Sequence, residues 1–375
     1  MAYKLVGKNF TPPDVRAKIT GKAKYAEDFT AEGMVYIKML LSPMPNANVT
    51  SMDPSEALAM DGVVGILTAD DLPQRAVTVQ VEYSTINYKD GLAIKGQGGI
   101  TKTWPHIPGI DLAGTVVASE TQDFSPGDRV VMTSLKASDS EWGGYSQIAR
   151  LDAEWLTKLP DNVSNRQAMA VGTAGFSAMM ALEALEEQGL KPENEGEVLV
   201  TGAAGGVGSI AVALFAATGY RVAASTGRPE NKQYLKDLGA TSIVTREEME
   251  APIKGPLGSM RWAGAVDNVG GVILSNLLAG LNSGATCACV GLAASAKFEA
   301  NVIPFLLRGV KMVGVDSGNY SMAKRYSVWQ RLSQQLPMDK LEAITTEASL
   351  DDLPILSDNI LSGKIKGRVV INVNS

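Results

Sequence analysis

The sequence predicts an α/β protein organised around a doubly wound parallel sheet, with a small α+β segment at the N-terminus. At 375 residues, of which 45% are hydrophobic and 20% charged, the chain is long enough for about two or three domains. The run EVLVTGA predicts a strand, and after a glycine-rich turn GSIAVALFAATG predicts a helix that ends at Gly219. Short apolar strands continue to alternate with helical segments in LGATSIV, WAGAVDNVGG, GATCACVGL and VKMVGVDS, which is typical of a doubly wound sheet.

The glycine-rich turn matches most of a dinucleotide-binding fingerprint. Its last two glycines stand where the pattern G-x-G-x-x-G requires them, while Ala203 takes the place of the first glycine and Gly202 stands one residue earlier. Such glycines let backbone N–H groups approach a pyrophosphate at the N-terminus of the following helix. A tight packing turn is the alternative interpretation. The residues expected at the pyrophosphate are Gly205, Gly206, Val207 and Gly208.

The residues after the next strand favour NADPH over NADH. An NAD-dependent enzyme usually carries Asp or Glu about twenty residues beyond the glycines, where the carboxylate holds the ribose hydroxyls. Here the strand that starts at Arg221 ends near Ser225, and Thr226 and Arg228 follow. Hydroxyls and a guanidinium bind a 2′-phosphate through charge-assisted hydrogen bonds, whereas a carboxylate would repel it. We therefore predict NADPH as the cofactor; the alternative for Arg228 is a solvated loop charge.

Composition and charge exclude several classes of partner. The formal net charge is -6 and the isoelectric point is about 5.1, whereas nucleic-acid-binding surfaces are normally basic. No run of about eighteen apolar residues could span a membrane, and the N-terminus lacks a secretory signal, so we expect a cytoplasmic protein that acts on a small molecule. Cys287 and Cys289 are the only cysteines, too few for a disulfide framework or a zinc cluster, and we expect them to be small buried residues on a strand.

Further motifs accompany the glycine turn along most of the chain. They are EYSTINYKDGLAI, HIPGIDLAGTVV, SPGDRVV, WGGYSQIAR, AMAVGTAGFSAM, IPFLLRGV, LPMDKLEA and GRVVINV. Together they resemble the medium-chain dehydrogenase/reductase superfamily, its quinone-oxidoreductase branch, and most closely the AcuI/YhdH-type acryloyl-CoA reductases. The resemblance covers residues 71–375. It implies a GroES-like catalytic domain over 75–165 and 320–375, split around a Rossmann NADPH-binding domain over 166–319, and a homodimer.

A metal site is not expected. Zinc-dependent members of the superfamily place a catalytic Cys and a Gly-His-Glu early in the catalytic domain, where this chain has NYKD at 87–90 and GID at 109–111. The only histidine, His106, stands between Pro105 and Pro108 and has no cysteine near it in sequence, which is more typical of a loop residue than of a ligand. The enzyme must then activate its substrate without a Lewis acid.

The resemblance implies reduction of an activated carbon–carbon double bond. Hydride would pass from C4 of NADPH to the β-carbon of a short enoyl-CoA, acryloyl-CoA by resemblance, and the α-carbon would be protonated. We expect Tyr88 to position the substrate or assist proton delivery, and Asn87 and Asp90 to position the nicotinamide. Arg368 would bind the acyl or phosphate end of the substrate or help to neutralise the enolate. The alternative for Tyr88 and Asp90 is that they pack and cap a turn.

Three more residues are expected beside the cofactor. Thr173 resembles the family position that lines the nicotinamide pocket, and an N-cap is its alternative role. Asn268 and Gly291 stand where predicted strands end, and Rossmann ligands bind in the crevice outside those ends.

The first 74 residues do not fit the reductase pattern. The runs TGKAKYAEDF, LLSPMPNANV and ALAMDGVVGILTADDLP resemble the N-terminus of the molybdenum-binding subunit of xanthine dehydrogenases and aldehyde oxidases, without the cofactor-binding parts of that subunit. We expect strands at MVYIKMLLS and GVVGILTA, a helix from Pro54, and a junction within 69–74. The segment either docks on the catalytic domain or is loosely attached.

Two other functions remain open at the level of sequence. One is reduction of a quinone or an α,β-unsaturated ketone, because neither the glycine turn nor the NYKD motif indicates whether the substrate carries CoA. The other is an NADPH-binding protein whose catalytic domain is disabled by the foreign N-terminal segment.

Overall fold

The computed structural model describes residues 51–66, 75–102, 104–135 and 137–375. The chain divides into two units, Met1–Leu72 and Pro73–Ser375. In the first unit, helix α1 (Ser55–Leu58) forms where a helix is predicted from Pro54. The strand predicted over 62–69 is wrong for 62–66, because Gly62 has a φ of +85° and Val64 is 79% exposed, without the burial that favours a strand. Residues 67–69 and the strand predicted over 34–42 lie outside the described residues.

Strands and helices alternate along the second unit, and the strands form two sheets. Its strands are β1 (Ala76–Thr85), β2 (Asp111–Ser119), β3 (Arg129–Thr133), β4 (Ile148–Asp152), β5 (Thr157–Lys158), β6 (Glu197–Val200), β7 (Val222–Thr226), β8 (Ser242–Thr245), β9 (Trp262–Asp267), β10 (Thr286–Cys289), β11 (Lys311–Gly314), β12 (Thr345–Ser349) and β13 (Arg368–Asn372). Its helices are α2 (Tyr88–Ile94), α3 (Asn165–Glu187), α4 (Gly206–Ala217), α5 (Lys232–Leu238), α6 (Arg246–Glu250), α7 (Gly271–Gly280), α8 (Ile303–Arg308), α9 (Met322–Gln335), α10 (Met338–Ala343) and α11 (Leu353–Leu361).

The first sheet combines strands from both ends of the unit. Its order is β12-β13-β1-β2-β3-β5, and β4 also pairs with β1. The pairs are antiparallel except for β12 and β13, which run parallel. Val77, Val79 and Val81 alternate along β1 and are fully buried, because successive side chains of a strand point to opposite faces. This sheet is the GroES-like part of the fold.

The second sheet is parallel, with the order β11-β10-β9-β6-β7-β8. The strands predicted from EVLVTGA to VKMVGVDS are all confirmed. Helix α4 ends before Gly219, as predicted, and Gly219 has a φ of +93°. Val198, Leu199 and Val200 are all buried, because both faces of a parallel sheet are covered. The strand order reverses beside β6, and the crevice at such a point is where Rossmann ligands bind.

Helix α3 packs against both sheets. It is the one helix among the described residues that is long and apolar enough to cross a membrane, but 83% of its most apolar window is buried inside the protein. It is therefore a core helix. Gly172 interrupts it with φ 50° and ψ -161°, and the polar residues of the candidate site converge at that interruption.

Candidate active site

The glycine turn lies between the end of β6 and the start of α4. Gly202 has a φ of +58°, a left-handed conformation that favours glycine, whereas Ala203 is fully buried. Gly205 is the N-cap of α4. A Cβ on Gly208 would lie 2.3 Å from the carbonyl oxygen of Gly202, so this glycine lets the helix pack closely on its strand. The turn leaves the first N–H groups of α4 facing the crevice, where an anion can bind.

The three residues predicted at the 2′-phosphate lie at the end of β7. Ser225 and Thr226 are buried, and the Thr226 hydroxyl accepts a hydrogen bond from the backbone N–H of Arg228 at 3.1 Å. The half-buried guanidinium of Arg228 approaches the carbonyl oxygens of Lys364 and Ile365 at 3.4 Å. The Thr226 hydroxyl therefore shapes the turn, and the guanidinium supplies the charge that a phosphate needs.

A second guanidinium lies beside the same turn. Arg246 is the first residue of α6 and is exposed, and a Cβ on Gly227 would lie 2.6 Å from its Nε atom. The sequence analysis missed Arg246, because it belongs to the next βα unit and only the parallel pairing of β7 with β8 brings it here. The end of β7 thus carries two positive charges.

Asn268 and Gly291 lie at neighbouring strand ends. The Asn268 Nδ2 atom donates to the carbonyl oxygen of Thr201 at 2.8 Å, and a Cβ on Gly291 would lie 2.7 Å from the carbonyl oxygen of Asn268. The Asn268 Oδ1 atom is buried and accepts no hydrogen bond from the described residues. A buried acceptor without a donor is costly, and a hydroxyl or amide of a bound dinucleotide would satisfy it. This orphaned oxygen fits a cofactor in the crevice.

A buried polar cluster surrounds Asp111, the first residue of β2, which is itself fully buried. Its carboxylate accepts hydrogen bonds from Asn87 Nδ2 at 2.9 Å and from the Ser134 backbone N–H at 3.2 Å. It also accepts from the backbone N–H of Thr173 at 2.8 Å and from the Thr173 hydroxyl at 2.5 Å. These four donors are what a negative charge in the interior requires.

Asn87 and Asp90 connect the start of α2 to this cluster. Asn87 is the N-cap, and its backbone N–H donates to Asp90 Oδ2 at 2.8 Å. Its side-chain Nδ2 atom lies within hydrogen-bonding distance of Asp90 Oδ2, at 3.1 Å, as well as of Asp111 Oδ2. Asp90 Oδ1 accepts the backbone N–H of Ile110 at 2.8 Å. Asp90 therefore caps a turn, the alternative expected for it, and also ties that turn to the strand that begins at Asp111.

Burial changes the acidity of the groups in the cluster. Burial, and after it the charge of Asp111, together raise the pKa of Asp90 from 3.8 to about 7 against the opposing effect of the N–H donors. Burial also raises the pKa of Tyr145 well above its ordinary value, and the hydroxyl of Tyr145 donates to the carbonyl oxygen of Thr85. Near neutral pH, Asp90 is therefore a mixture of protonated and ionised forms.

Arg368 joins the cluster to the glycine turn. Its buried guanidinium donates through Nε to the carbonyl oxygen of Ala170 at 2.8 Å, through Nη2 to Thr85 Oγ1 at 2.9 Å and through Nη1 to Asn87 Oδ1 at 3.4 Å. A Cβ on Gly206 would lie 2.9 Å from Nη1. Burial lowers the pKa of Arg368. The guanidinium is thus enclosed beside Gly206, and the expected roles of Arg368, binding the acyl or phosphate end of the substrate or neutralising the enolate, stay predictions.

Tyr88 and Thr173 are more accessible than Asp90 and Asp111. Tyr88, the first residue of α2, is 45% exposed. The half-buried Thr173 follows Gly172 and directs both its backbone N–H and its hydroxyl to Asp111, so Asp111 caps this part of the helix and the Thr173 side chain does not. A Cβ on Gly172 would lie within 2.8 Å of both Arg368 Nη2 and Asp111 Oδ2, so glycine is needed at this close approach.

The structure adds Asp111 and Ser134 to the candidate site. A sequence signal exists for Asp111, because it is a carboxylate that opens the otherwise apolar strand DLAGTVV and such a group is buried only with partners. No comparable signal exists for Ser134, since serine is common in turns.

The remaining candidates for metal or thiol chemistry lie elsewhere. Over the described ranges, no three His, Cys, Asp or Glu side chains are grouped so as to hold a metal ion. Both ring nitrogens of His106 are buried, and neither has a hydrogen-bond partner among the described residues. Cys287 is buried and Cys289 half-buried on β10, and both are free thiols, which confirms the expectation of small residues on a strand.

Three known families match parts of the chain. The alcohol dehydrogenase GroES-like domain matches residues 73–161, and the family described as zinc-binding dehydrogenase matches residues 206–334. The a/b hammerhead domain of aldehyde oxidase and xanthine dehydrogenase matches residues 20–95, which confirms the resemblance of the N-terminal segment. The hammerhead and GroES-like matches overlap over 73–95.

Individual relatives span nearly the whole second unit. The chain is 53% identical to the acrylyl-CoA reductase AcuI of Ruegeria pomeroyi, over 88% of this chain and 100% of that protein. Escherichia coli YhdH, solved with bound NADPH, is 42% identical with a TM-score of 0.78, over 83% of this chain and 95% of that one. Bacillus subtilis YhfP, a putative quinone oxidoreductase solved with bound NAD, is 44% identical with a TM-score of 0.76, over 82% and 93% of the two chains. The chain therefore belongs to the medium-chain dehydrogenase/reductase superfamily, in the quinone-oxidoreductase branch that contains the acrylyl-CoA reductases.

Proposed function

We propose that the protein is a zinc-independent, NADPH-dependent reductase of a short enoyl-CoA, which converts acrylyl-CoA to propionyl-CoA. The observation that carries this proposal is the contact between the glycine turn and the buried cluster, where Gly206 approaches the guanidinium of Arg368. The full-length match to the Ruegeria pomeroyi acrylyl-CoA reductase supports the choice of substrate.

The charges at the end of β7 support NADPH as the reductant. Among the relatives, E. coli YhdH holds NADPH whereas B. subtilis YhfP holds NAD. In this chain Arg228 and Arg246 offer two guanidiniums beside Gly227, with no carboxylate in the STGR turn, and a 2′-phosphate is bound well by such groups. When bound, NADPH supplies the hydride. The proposed binding residues are Thr173, Gly205, Gly206, Val207, Gly208, Ser225, Thr226, Arg228, Arg246, Asn268 and Gly291.

The residues around Arg368 would stabilise the charge that develops on the substrate. Reduction of an enoyl thioester at its β-carbon places negative charge on the thioester oxygen and the α-carbon. Arg368 holds a positive charge beside the glycine turn, and Asn87 is held by both Asp90 and Asp111. Preorganised groups of this kind, shielded from water, stabilise a transition state more than mobile solvent does. The exposed hydroxyl of Tyr88 would contact and orient the acyl group.

The positions of the strands support a catalytic domain over 75–165 and 320–375. They also support an NADPH-binding domain over 166–319. Strands β1 to β5 join β12 and β13 in one sheet, and β6 to β11 form the other. We place the N-terminal segment over 1–74. We also propose a cytoplasmic location, with which the burial of the apolar helix α3 in the core is compatible.

A homodimer would form through the open edge of the parallel sheet. Strand β11 is the last strand of the order and pairs with β10 alone. Leu306, Leu307 and Met312, on α8 and β11, are 70%, 69% and 42% exposed. An apolar edge strand of this kind is a template for pairing with a second copy, which would extend the sheet across the dimer.

Oxidation of NADPH in the presence of acrylyl-CoA tests the function. The wild-type protein should consume NADPH faster than NADH, and Tyr88→Phe should lower kcat/KM about 10- to 100-fold through lost orientation or proton delivery. Tyr326→Phe is a matched control, because Tyr326 is 53% exposed on α9. A wild-type protein that binds NADPH but leaves acrylyl-CoA unreduced would contradict the proposal, and turnover of a quinone instead would identify the alternative activity.

A further inference from the structure

A chain of three hydroxyl groups leads from Asp111 to a second accessible point of the site. The Thr173 Oγ1 atom lies 2.5 Å from Asp111 Oδ1, and Ser134 Oγ lies 2.9 Å from Thr173 Oγ1. Ser317 Oγ lies 3.2 Å from Ser134 Oγ. Thr173 and Ser317 are half-buried, whereas Ser134 is 6% exposed. A buried hydroxyl therefore joins two that are accessible.

The carboxylate fixes the direction of these hydrogen bonds. Asp111 accepts four hydrogen bonds from N–H and O–H groups, so both of its carboxyl oxygens serve as acceptors in this cluster. The Thr173 hydroxyl must then donate to Asp111 and accept from Ser134. Each hydroxyl has one proton to donate, so Ser134 in turn accepts from Ser317. The result is an unbroken series of donors, which can pass a proton when each member gives one and receives one.

The backbone at Ser134 is held in an unfavourable conformation. Ser134 has a φ of +59° and Leu135 one of +63°, in the left-handed region that side chains rarely adopt. This conformation directs the Ser134 N–H to Asp111 and its hydroxyl to Thr173. Strained residues of this kind persist where the surroundings over-determine them, and they cluster at functional sites.

One buried guanidinium fixes both sides of the bond between Ser134 and Ser317. Arg325 is 1% exposed. Its Nη2 atom donates to Thr133 Oγ1 at 2.7 Å, one residue before Ser134, and its Nη1 atom donates to the carbonyl oxygen of Ser317 at 2.9 Å. The hydroxyl chain is therefore built on fixed elements of the core.

We propose that Ser134 relays a proton to Thr173 during the reductase reaction, an inference that rests on the function proposed above. As hydride adds to the β-carbon, the electron pair of the double bond moves to the α-carbon, and the Thr173 hydroxyl turns from Asp111 to give that carbon its proton, while three N–H donors continue to hold Asp111. Thr173 regains a proton from Ser134, Ser134 from Ser317, and Ser317 from water. Each hydroxyl loses and gains one proton, so the substrate receives one hydride and one solvent proton. Ser134 acts through Thr173 and is a positioning residue.

Two substitutions of Ser134 separate the relay from a loss of fold. Ser134→Ala and Ser134→Gly both delete the hydroxyl, but glycine is favoured at a positive φ, so Ser134→Gly should fold at least as well as the wild type. Ser327→Ala is the control, because the exposed Ser327 hydroxyl donates within its own helix, to the carbonyl oxygen of Lys324.

Isotope effects provide a readout that a structural defect would not move. The variants are compared in H2O and D2O, with NADPH and with NADPH deuterated at the transferred position, using acrylyl-CoA and an α,β-unsaturated ketone. Both Ser134 variants should lose about tenfold or more in kcat. Their solvent isotope effect should rise and the deuterated-NADPH effect should fall, because proton delivery becomes rate-limiting. KM for NADPH should not change.

The outcomes distinguish failure of the relay from failure of the proposed function. A Ser134→Gly protein with the kcat and solvent isotope effect of Ser327→Ala would overturn the relay and leave the function intact. A wild-type protein that binds NADPH and reduces neither substrate would overturn both.

Discussion

Replacement of Asp90 by asparagine should change how the stability of the second unit depends on pH. Burial, with the charge of Asp111, raises the pKa of Asp90 from 3.8 to about 7 in the folded protein. In the unfolded chain the carboxyl is solvated and returns to its ordinary pKa. Between these two values the folded state holds a proton that the unfolded state has lost, so Asp90 links folding to proton binding.

The sign and the size of the effect follow from that difference. Stability falls with rising pH wherever the folded state binds more protons than the unfolded state. About three pH units, at about 1.4 kcal/mol each, give a loss of about 4 kcal/mol. This loss accumulates between about pH 4 and about pH 7 and then stops. Asparagine does not titrate, so the free energy of unfolding of the wild type, relative to Asp90→Asn, should decline by this amount over that range.

The substitution also has a cost that does not depend on pH. The two carboxyl oxygens of Asp90 accept N–H groups of Asn87 and of Ile110. The asparagine amide offers one acceptor oxygen, and the N–H left without a partner costs about 1–3 kcal/mol. This cost displaces the whole curve of Asp90→Asn without changing its slope against pH.

Urea unfolding at several pH values from about 5 to about 8 measures the slope. Asp351→Asn is the matched control, because Asp351 is exposed, and its curve should run parallel to that of the wild type. A difference between the wild type and Asp90→Asn that stays constant, or that grows with pH, would refute the reasoning, because it would show that Asp90 is ionised throughout the range.

Three further substitutions test the rest of the site and the proposed dimer. Arg246→Ala should raise KM for NADPH about tenfold through loss of one charged contact to the phosphate, while its KM for NADH stays unchanged. Arg221→Ala, at the opposite end of β7, is the control and should leave both KM values unchanged. Gly208→Ala should lower Tm by several degrees in thermal unfolding, because its Cβ would lie 2.3 Å from a backbone oxygen, whereas Gly314→Ala meets nothing within 4 Å and should not. If the protein is the proposed dimer, Leu307→Asp should convert it to a monomer in light-scattering measurements, and an unchanged dimer mass would argue against pairing through β11.

Local patterns explain why the parallel sheet could be predicted from the sequence. The strand β6, the glycine turn and the helix α4 are adjacent in the chain, and their alternation of apolar run, glycines and apolar run depends only on neighbours. The end of β7 could be placed in the same way. The expected strand at 62–66 is wrong because a local apolar run forms a strand only when something buries it, and Val64 remains exposed.

The buried cluster could be predicted only in part. The NYKD motif identifies Asn87 and Asp90, but their hydrogen bonds to Asp111 and Ile110 depend on how β1 and β2 lie beside each other. The burial of Arg368 arises because the last strand pairs with β1, almost three hundred residues earlier in the chain. No pattern within one segment contains that contact, and the sequence analysis therefore left open whether Arg368 binds the acyl or phosphate end of the substrate or neutralises the enolate.

The charges of the cluster explain how a guanidinium can be kept beside the glycine turn without solvent. Burial lowers the pKa of Arg368, and the negative charge of Asp111 opposes that effect and favours the charged guanidinium. Because β1, β2, β13 and α3 each contribute a member, the cluster forms only when the first sheet is assembled against α3. The geometry of the glycine turn is then coupled, through Gly206 and Arg368, to the residues that would hold the substrate.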